Sequence, residues 1–382
     1  MSNMIKKIVI IGGGIGGTIV ANGLSKNLGS ELNQNKISIS MLGASESHFY
    51  QPGLFYLPFG KFRESDLQKN QRKVLDDRVL FKVDPATKID IDNNVVSTAS
   101  GNTYEYDYLV IATGSRIRPD LIPGMAEGAH WFSDLPGARK LRESLEDFEG
   151  GRIVINVNAP HKCPVAPVEA TFMIHQFLKD RELLEKSEIT YTYPIGRLHG
   201  IEPVSNWLEP EFDRLGIKYE TFFNSKEINP QTKVINTEEG TSLPYDLLIT
   251  IPPHSGAKVV EDSGLGLGGW IPTDHHTLLL KDSKNVFVVG DTTNIPISKA
   301  GSTAHFEADV TIENLTSLLT EKRWAKNYDG KVFCFIETSN REATYISFDY
   351  KNPPKVGAPN QMIHWGKIGY NRLYWLSIKG LL

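Results

Sequence analysis

Short apolar runs rich in β-branched residues alternate along this chain with longer segments whose apolar residues recur at helical spacing. Residues 7–11 predict a strand, residues 18–24 have helical character, and residues 37–42 predict a second strand, which together make a βαβ unit. Much later, the run at residues 245–253 repeats the pattern of residues 106–113. This internal repeat predicts two related nucleotide-type domains, the second inserted into the first.

The same alternation continues through the rest of the chain. A second parallel unit is predicted to start at residues 152–157, with residues 168–179 as its crossover helix. Residues 285–291 return the chain to the first domain, ahead of a helix at about 300–320. The other predicted elements are strands at 79–83, 88–92, 94–97, 189–193 and 218–222, helices at 139–148 and 207–215, and a hairpin of 331–337 with 344–349.

These patterns predict an α/β fold with two Rossmann-like nucleotide-binding domains in tandem, each a three-layer ββα arrangement, and a C-terminal membrane-associated segment. The predicted boundaries are 1–115 with 256–322 for the first domain, 116–255 for the second, and 323–382 for the C-terminal region. Residues 362–382 interleave aromatic and basic residues without a continuous apolar span, which is typical of a segment lying among lipid headgroups. Packing of these aromatics against the sheet is the alternative.

A glycine-rich turn opens the chain. Gly12, Gly14 and Gly17 follow the first strand and precede the first helix, which is the context that a dinucleotide-binding fingerprint requires. The glycines let the backbone and the helix N-terminus approach a pyrophosphate. One bound dinucleotide is therefore expected.

The corresponding turn of the second domain carries a cysteine instead of glycines. After the strand at 152–157 the chain reads Asn-Ala-Pro-His-Lys-Cys-Pro, and two prolines and a lysine cannot present backbone to a pyrophosphate. Cys163 and Cys334 are the only cysteines of the sequence. Cys163 follows His161 and Lys162 near the predicted helix start, and this setting predicts a lowered thiol pKa and a reactive thiolate. Cys334 lies in an alternating apolar run, where core packing is the competing interpretation.

Composition restricts the possible functions. The chain has 382 residues and a net charge of −4, which argues against a nucleic-acid partner. No window of eighteen apolar residues predicts a membrane-spanning helix, and residues 1–7 lead directly into a strand, so no signal peptide is expected. Two cysteines are too few for a disulfide scaffold, and no metal site is expected.

Two further segments resemble the signatures of FAD-binding, disulfide-reductase-like proteins. They are Ala112-Thr113-Gly114 and Val288-Val289-Gly290-Asp291. The resemblance implies FAD as the cofactor, with Asp291 bonded to the ribityl chain and with Lys299, Ala300 and Gly301 bringing a helix N-terminus toward the flavin. The acidic residue that usually holds the adenosine ribose is missing after the second strand, so Ser45, Glu46 or backbone groups are the candidates for that contact.

Three other segments are similar to the group of sulfide:quinone oxidoreductases and flavocytochrome c sulfide dehydrogenases. Together with the FAD signatures, they extend the resemblance over nearly the whole chain. They are residues 47–54, which include Gln51, residues 162–167 around Cys163, and residues 328–334 with 348–350 around Cys334. Many of these proteins carry a third cysteine near the position of Ser133, so the chain resembles the two-cysteine branch.

This resemblance implies a reaction and a site. Hydrogen sulfide would be oxidised to polysulfide through Cys163 and Cys334, and two electrons would pass through FAD to a membrane quinone. Glu169 is implied as a base, with a solvated carboxylate as the alternative, and His199 is implied as a residue near the active site; His305 and His364 are interpreted as ordinary polar residues. Lys367 is implied as the quinone ligand, with Tyr370 and Trp365 as walls of its pocket.

Other functions remain open at this point. A type II NADH:quinone oxidoreductase would share the fold, although the cysteine-bearing turn argues against NADH. A flavocytochrome c-type dehydrogenase would pass electrons to a haem partner, and a non-catalytic FAD-binding redox module is a third alternative. The expected location is peripheral, on a lipid bilayer surface, and a homo-oligomer is possible.

Overall fold

The computed structural model describes residues 5–381; residues 1–4, on which the signal-peptide expectation partly rests, and Leu382 lie outside the described part. The first sheet is parallel, and every strand except the edge strand Val79–Val83 is buried on both faces near its C-terminal end. In spatial order the strands are β19 (Val286–Val288), β9 (Tyr108–Ile111), β1 (Lys6–Ile11), β2 (Ile37–Gly43) and β5 (Val79–Val83). Continuous β-branched runs suit such strands because a parallel sheet covered on both faces leaves no polar side.

A second parallel sheet has four strands. Its strands are β13 (Lys218–Glu220), β12 (Ser187–Thr192), β11 (Gly151–Val157) and β17 (Leu247–Ile251). The sequence repeat corresponds to a structural one, because a three-stranded antiparallel sheet precedes β9 and another precedes β17. These small sheets are β6 (Ala86–Asp90), β7 (Val95–Thr98) and β8 (Thr103–Glu105), and β14 (Ser225–Asn229), β15 (Val234–Thr237) and β16 (Ser242–Pro244).

Helices cover the sheets, and the two longest helices of the first layer, α1 and α9, pack directly on each other. A Cβ on Gly23 of α1 would lie 2.3 Å from Ile312 of α9, so the glycine permits this close approach. The helices are α1 (Ile15–Asn27), α2 (Gly29–Asn33), α3 (Gln51–Leu54), α4 (Met125–Gly128), α5 (Leu135–Glu146), α6 (Ala166–Asp180), α7 (Glu202–Leu215), α8 (Lys258–Asp262), α9 (Gly301–Thr320) and α10 (Gln361–Ser377).

Three smaller sheets complete the chain. An antiparallel C-terminal sheet packs beside α6 and α9 and carries α10 on it. Its strands are β20 (Val332–Glu337), β21 (Ala343–Phe348) and β22 (Lys355–Val356); the two remaining pairs are β3 (Ser47–Phe49) with β4 (Gln68–Asn70) and β10 (Ser115–Ile117) with β18 (His254–Gly256). β10 and β18 pair with each other where the chain passes between the two parallel sheets.

The predicted α/β class is confirmed, and most predicted elements lie within two residues of their observed bounds. The largest errors are at two helices, which start four and five residues earlier than predicted. α5 starts at Leu135 because the Asp134 side chain accepts a hydrogen bond from the N–H of Gly137, and α7 starts at Glu202 with a proline in its first turn. No helix within residues 5–381 is long and apolar enough to cross a bilayer.

Candidate active site

The turn between β1 and α1 is a backbone cradle. A Cβ on Gly12, whose φ is +108°, would lie 2.2 Å from the carbonyl oxygen of Ala112, and a Cβ on Gly17 would lie 2.0 Å from that of Gly12. A Cβ on Gly14 would meet nothing within 4 Å, and Gly14 lines an open cavity. Gly12 and Gly17 therefore allow the strand and helix to approach, whereas Gly14 leaves the helix start open to a ligand.

Two helix N-termini face this cavity, whose volume is about 940 Å³. α1 follows Gly14 and α9 follows Ala300, and no side chain of residues 5–381 caps either start. Their first N–H groups are thus available to a ligand, and the helix dipoles add partial positive charge. This geometry fits the dinucleotide that the glycine turn predicts.

Asp291, which follows β19, connects the first sheet to the cysteine-bearing turn of the second. Its Oδ2 accepts a hydrogen bond from Ser115 Oγ at 3.2 Å and lies 3.4 Å from Lys162 Nζ. Lys162 Nζ also donates to Oε1 of Gln51 at 2.7 Å. Lys162 therefore bridges two of the residues expected to contact the cofactor and holds the neighbouring Cys163 beside them.

Cys163 lies in a strained turn next to the start of α9. Its φ is +51°, an uncommon value for a residue with a side chain, and its N–H donates to the carbonyl oxygen of Lys299 at 2.7 Å. Lys299 is itself fixed, because its Nζ donates to the carbonyl oxygen of Thr293 and lies 4.6 Å from the centre of the Trp270 ring. The strain is typical of a functional position, since the surrounding contacts must maintain it.

Aromatic rings and histidines fill the space beside the second turn. Eight residues separate β11 from α6, and the rings of His161, Tyr193 and His199 form a row with centroid separations of 6.3 Å. His199 donates from Nε2 to the carbonyl oxygen of Pro164 at 3.0 Å and accepts the N–H of Ile201 at Nδ1, which fixes its tautomer. This turn therefore offers a thiol and packed rings where a nicotinamide dinucleotide would need open backbone.

The second thiol, Cys334 on β20, lines the same cavity although it lies 171 positions further along the chain. Its Sγ is 3.9 Å from Oγ of Ser302, in the first turn of α9. Burial, together with the charge of Cys163, raises the pKa of the Cys334 thiol to about 12. The two thiols therefore lie close enough to act on each other electrostatically.

The prediction of a lowered pKa for Cys163 is wrong. Burial raises the pKa of this thiol, against the opposing effects of the Ala166 backbone N–H and the positive charges of Lys162 and Lys367. Proximity to a lysine and a helix start lowers a thiol pKa only where the thiolate stays hydrated or fully compensated. The reduced thiols therefore favour their neutral forms, and the reactive species is better sought in a sulfur bridge between them.

Glu169 and Lys367 form a buried ion pair on the cavity wall. Lys367 Nζ, on α10, donates to Oε1 of Glu169, on α6, and this oxygen also accepts the N–H of Glu337 at 2.7 Å. Burial lowers the pKa of Lys367 to about 7, and the charge of Cys163 opposes this effect. The alternative that Glu169 is a solvated carboxylate is excluded, because its side chain is 9% exposed and paired.

The structure places most of the predicted site residues around this one cavity. Those that line it are Gly12, Gly14, Ser45, Gln51, Ala112, Thr113, Gly114, Cys163, Glu169, Gly290, Asp291, Lys299, Ala300, Gly301, Cys334, Lys367 and Tyr370. Ser133, the position of the missing third cysteine, lines it too.

Four predicted residues do not line the cavity. Gly17 packs beneath the turn, and Glu46 is an exposed residue beyond Ser45, so Ser45 is the better placed of the two ribose candidates. His199 contacts the site only through the Pro164 carbonyl, and Trp365 is 61% exposed on the outer face of α10, so its prediction as a pocket wall is wrong.

α10 has an inverted distribution of side chains. Its buried residues are mostly polar, at positions 364, 367, 371 and 374, whereas large apolar side chains point outward. Four of the exposed ones, which we call the outer stripe, are Met362 (83%), Trp365 (61%), Leu373 (44%) and Leu376 (42%). Gly366, Lys367, Tyr370 and Asn371 line the cavity from the same helix, so the cavity wall and the outer stripe are two sides of one element.

Several cavity residues escaped the sequence interpretation. Tyr56 and His305 line the cavity, and Asp309 follows His305 by one helical turn on α9. The recurrence of 301, 302, 305 and 309 on one helix face after the Lys-Ala-Gly signature was the available signal for the last two. Tyr56 had none, because it lies in an apolar loop that resembles ordinary core sequence.

This chain is similar to several known proteins. Residues 6–159 match the family model described as pyridine nucleotide-disulphide oxidoreductase. The mitochondrial sulfide:quinone oxidoreductase of Mus musculus is 25% identical over 361 residues, covering 91% of this chain and 79% of that protein. A type II NADH:quinone oxidoreductase of Staphylococcus epidermidis is 31% identical, but over only 37% of this chain and 34% of its own length.

Among solved structures, the sulfide:quinone oxidoreductase of the hyperthermophilic bacterium Aquifex aeolicus superposes with a TM-score of 0.87 at 21% identity. The superposition covers 98% of this chain and 92% of that one. The resemblance predicted from the sequence motifs is therefore confirmed: this chain has the fold of a sulfide:quinone oxidoreductase structure and is similar to sulfide:quinone oxidoreductases over nine tenths of its length.

Proposed function

We propose that this protein is an FAD-dependent sulfide:quinone oxidoreductase, which oxidises sulfide to polysulfide and passes two electrons to a membrane quinone. One observation carries the proposal: two cysteines from different layers line a single cavity together with both nucleotide motifs and a buried lysine. The mitochondrial relative of Mus musculus bears the name of this activity and matches 91% of the chain.

The proposed domain organisation follows the two parallel sheets. Residues 1–115 with 256–322 form a Rossmann-like FAD-binding domain, 116–255 form a second such domain, and 323–382 form the quinone and membrane region. The two small antiparallel sheets, one before β9 and one before β17, support a repeated three-layer ββα plan.

Residues of the first domain would hold FAD. Gly14 and the start of α1 would take the pyrophosphate, Ser45 the adenosine ribose, Asp291 the ribityl chain, and the start of α9 the electron-rich edge of the flavin. FAD, when bound, supplies the two-electron carrier between sulfur and quinone.

The cysteines would carry the sulfur. In a first step HS⁻ attacks a sulfur bridge between Cys163 and Cys334, one S–S bond breaks, and a persulfide and a thiolate result. In a second step the thiolate joins the persulfide in a lengthened bridge, which releases one proton and two electrons. Burial raises the pKa of both thiols, which means that a buried thiolate is unfavourable. Closing the bridge removes the thiolate, so closure is favoured. Repetition lengthens the bridge until polysulfide leaves.

Lys367 would orient the quinone. It is the cation of α10 on the cavity wall, its Nζ lies 5.5 Å from the centre of the Tyr56 ring, and Phe333, Phe335 and Tyr370 form an apolar lining nearby. An ammonium group beside a quinone oxygen stabilises the negative charge that reduction places there.

The outer stripe of α10 would lie on the bilayer. The inner face of α10 is already packed, so its exposed apolar side chains cannot be buried in the protein core. Two basic residues, Arg372 and Lys379, flank these side chains. A third basic residue, Lys69, places its Nζ 4.7 Å from the centre of the Trp375 ring. This arrangement supports a peripheral attachment in which a quinone enters the cavity directly from the lipid.

Vesicle sedimentation tests the attachment. Replacing Trp365, Leu373 and Leu376 together by serine should lower affinity for anionic phospholipid vesicles about 100-fold, at roughly 1 kcal/mol for each side chain. Leu267→Ser is the matched control, because Leu267 is 94% exposed and lies outside the outer stripe. Unchanged sedimentation of the triple variant would exclude this surface.

Anaerobic titration tests the activity. The purified protein should be yellow, and sulfide alone should bleach its visible absorption, which decylubiquinone should then restore. NADH should leave the absorption unchanged. Bleaching by NADH would instead favour a type II NADH:quinone oxidoreductase, and bleaching by neither would exclude both.

A further inference from the structure

A second buried acid–base pair lies behind the cavity wall, between the C-terminal sheet and α10. Glu337, the last residue of β20, is 1% exposed, and His364 is 7% exposed. Nδ1 of His364 lies 2.8 Å from Oε2 of Glu337. The steps proposed above make no use of this pair, although burying a carboxylate is costly unless it is compensated.

Tyr56 connects this pair to the cavity. Its hydroxyl donates to Oε1 of Glu337 at 3.3 Å, while Tyr56 itself lines the cavity beneath Lys367. Burial and the charge of Glu337 raise the pKa of Tyr56 well above its usual value, so this hydroxyl keeps its proton at neutral pH and can pass one on.

Lys61 faces the pair from the solvent side. It is exposed, its charge acts on Glu337, and its Nζ donates to Oδ1 of Asn340, whose amide reaches Asp180 at the surface. Tyr56, Glu337 and His364 thus form a row of exchangeable groups that starts at the cavity, and the exposed Lys61 lies near its central carboxyl group.

We propose that Tyr56, Glu337 and His364 form a proton relay that supplies the quinone during its reduction; this rests on the proposed function. Quinone, HS⁻ and one proton give quinol and one sulfur atom added to the bridge, so each turnover takes up one net proton. Two protons must reach the quinone oxygens within a buried cavity. Tyr56 donates a proton to the quinone in the cavity, Glu337 reprotonates Tyr56, and His364 reprotonates Glu337.

The charges around Glu337 fix the expected pH dependence. Burial raises the pKa of Glu337, and His364 on α10, Lys61 in the loop after α3 and the Tyr56 hydroxyl oppose that rise. A carboxyl group with a raised pKa stays protonated to higher pH and loses its proton as pH rises through that pKa. Quinone reduction should therefore slow on the alkaline side of that transition.

The relay is tested on the quinone half-reaction alone. Protein reduced anaerobically with dithionite is mixed with decylubiquinone, and the return of the visible absorption is followed across pH. Glu337→Gln and Tyr56→Phe should slow this step at least ~10-fold, and Glu337→Gln should remove the alkaline decline. Glu337→Asp should retain the decline. Reduction by sulfide should be unchanged in all three variants.

Controls separate a relay from a structural anchor. Tyr328→Phe removes a buried hydroxyl that donates to the carbonyl oxygen of Lys331 outside the cavity, and it should reoxidise like the wild type. Infrared difference spectra should show a protonated carboxyl band that titrates in the wild type and is lost in Glu337→Gln. A wild-type rate and pH profile in Glu337→Gln would overturn the relay, as would an equal loss in both half-reactions together with lowered thermal stability. If sulfide fails to reduce the wild type, the proposed function fails, while the dithionite experiment still decides the relay.

Discussion

The two strand-to-helix turns at the C-terminal ends of β1 and β11 occupy equivalent places in two parallel sheets and are built in opposite ways. In the first, three glycines separate the strand from the helix, and the helix start stays open. In the second, eight residues intervene, Cys163 adopts a positive φ, and aromatic rings occupy the neighbouring space.

This difference shows how one architecture serves two chemistries. A dinucleotide is held by backbone N–H groups, so the first turn has to be free of side chains. Sulfur chemistry needs a reactive side chain at the same edge of the sheet. The second turn is therefore longer, and its thiol lies on the side of the first turn. The first turn supplies a binding surface, and the second supplies a reactive atom.

The largest expected effect comes from removing the thiol of the second turn. Cys163→Ser should lower sulfide-dependent reduction at least about 1,000-fold, because no sulfur bridge to Cys334 can form, while FAD remains bound. Stopped-flow absorption measures the rate, and the flavin spectrum measures occupancy. Ser133→Ala, which changes another cavity residue, should retain most of the rate. Normal turnover of Cys163→Ser would contradict the assignment of this turn.

A smaller effect is expected from adding one methyl group to the first turn. Gly17→Ala puts a Cβ 2.0 Å from the Gly12 carbonyl oxygen and should lower the free energy of unfolding by about 3 kcal/mol, with loss of FAD. Gly14→Ala should change that free energy by less than about 1 kcal/mol and still weaken FAD binding, because its Cβ points into the cavity. Denaturant unfolding and flavin content separate the two. If both variants lost the same free energy of unfolding and the same amount of FAD, the helix start at Gly14 would not be open to a ligand.

The smallest effect on turnover is expected at His199, beside the second turn. Burial lowers its pKa to about 4, so it is neutral at physiological pH, and His199→Gln should slow turnover only a few-fold without shifting the pH profile. Since the unfolded chain binds the proton at higher pH, the wild type loses stability as pH falls from about 6.5 to 4. Its advantage over His199→Gln should shrink by about 3 kcal/mol over that range. A shifted pH profile of turnover would make His199 a participant in catalysis.

Local pattern was sufficient for most of the fold. The β-branched runs at β1, β2 and β11 and the repeat that precedes β9 and β17 predicted the alternation of strands and helices, because periodicity reflects burial directly. Helix starts were less accurate at α5 and α7, where a capping aspartate and a proline extend the helix beyond its apolar stripe. The sequence offered no comparable signal for Tyr56.

The pKa shifts and ion pairs of the site could not be predicted from the local sequence. Cys163 has a lysine and a helix start beside it, yet its pKa is raised because burial exceeds both effects. Glu169 resembles any carboxylate in a first helical turn, and only α10 provides the lysine that pairs with it. Trp365 was predicted inside the pocket, and only the rotation of α10 shows that it faces outward.

The glycine turn, the loss of the second fingerprint and the identity of the two thiols could be read from the sequence, because each depends on residues that are neighbours along the chain. The tertiary structure alone decided that Cys163 and Cys334 share a cavity, that Glu169 pairs with Lys367, and that α10 faces outward with its apolar side. These features depend on contacts between residues far apart in sequence and on the exclusion of water around them. Local sequence patterns encode neither these long-range contacts nor the exclusion of water.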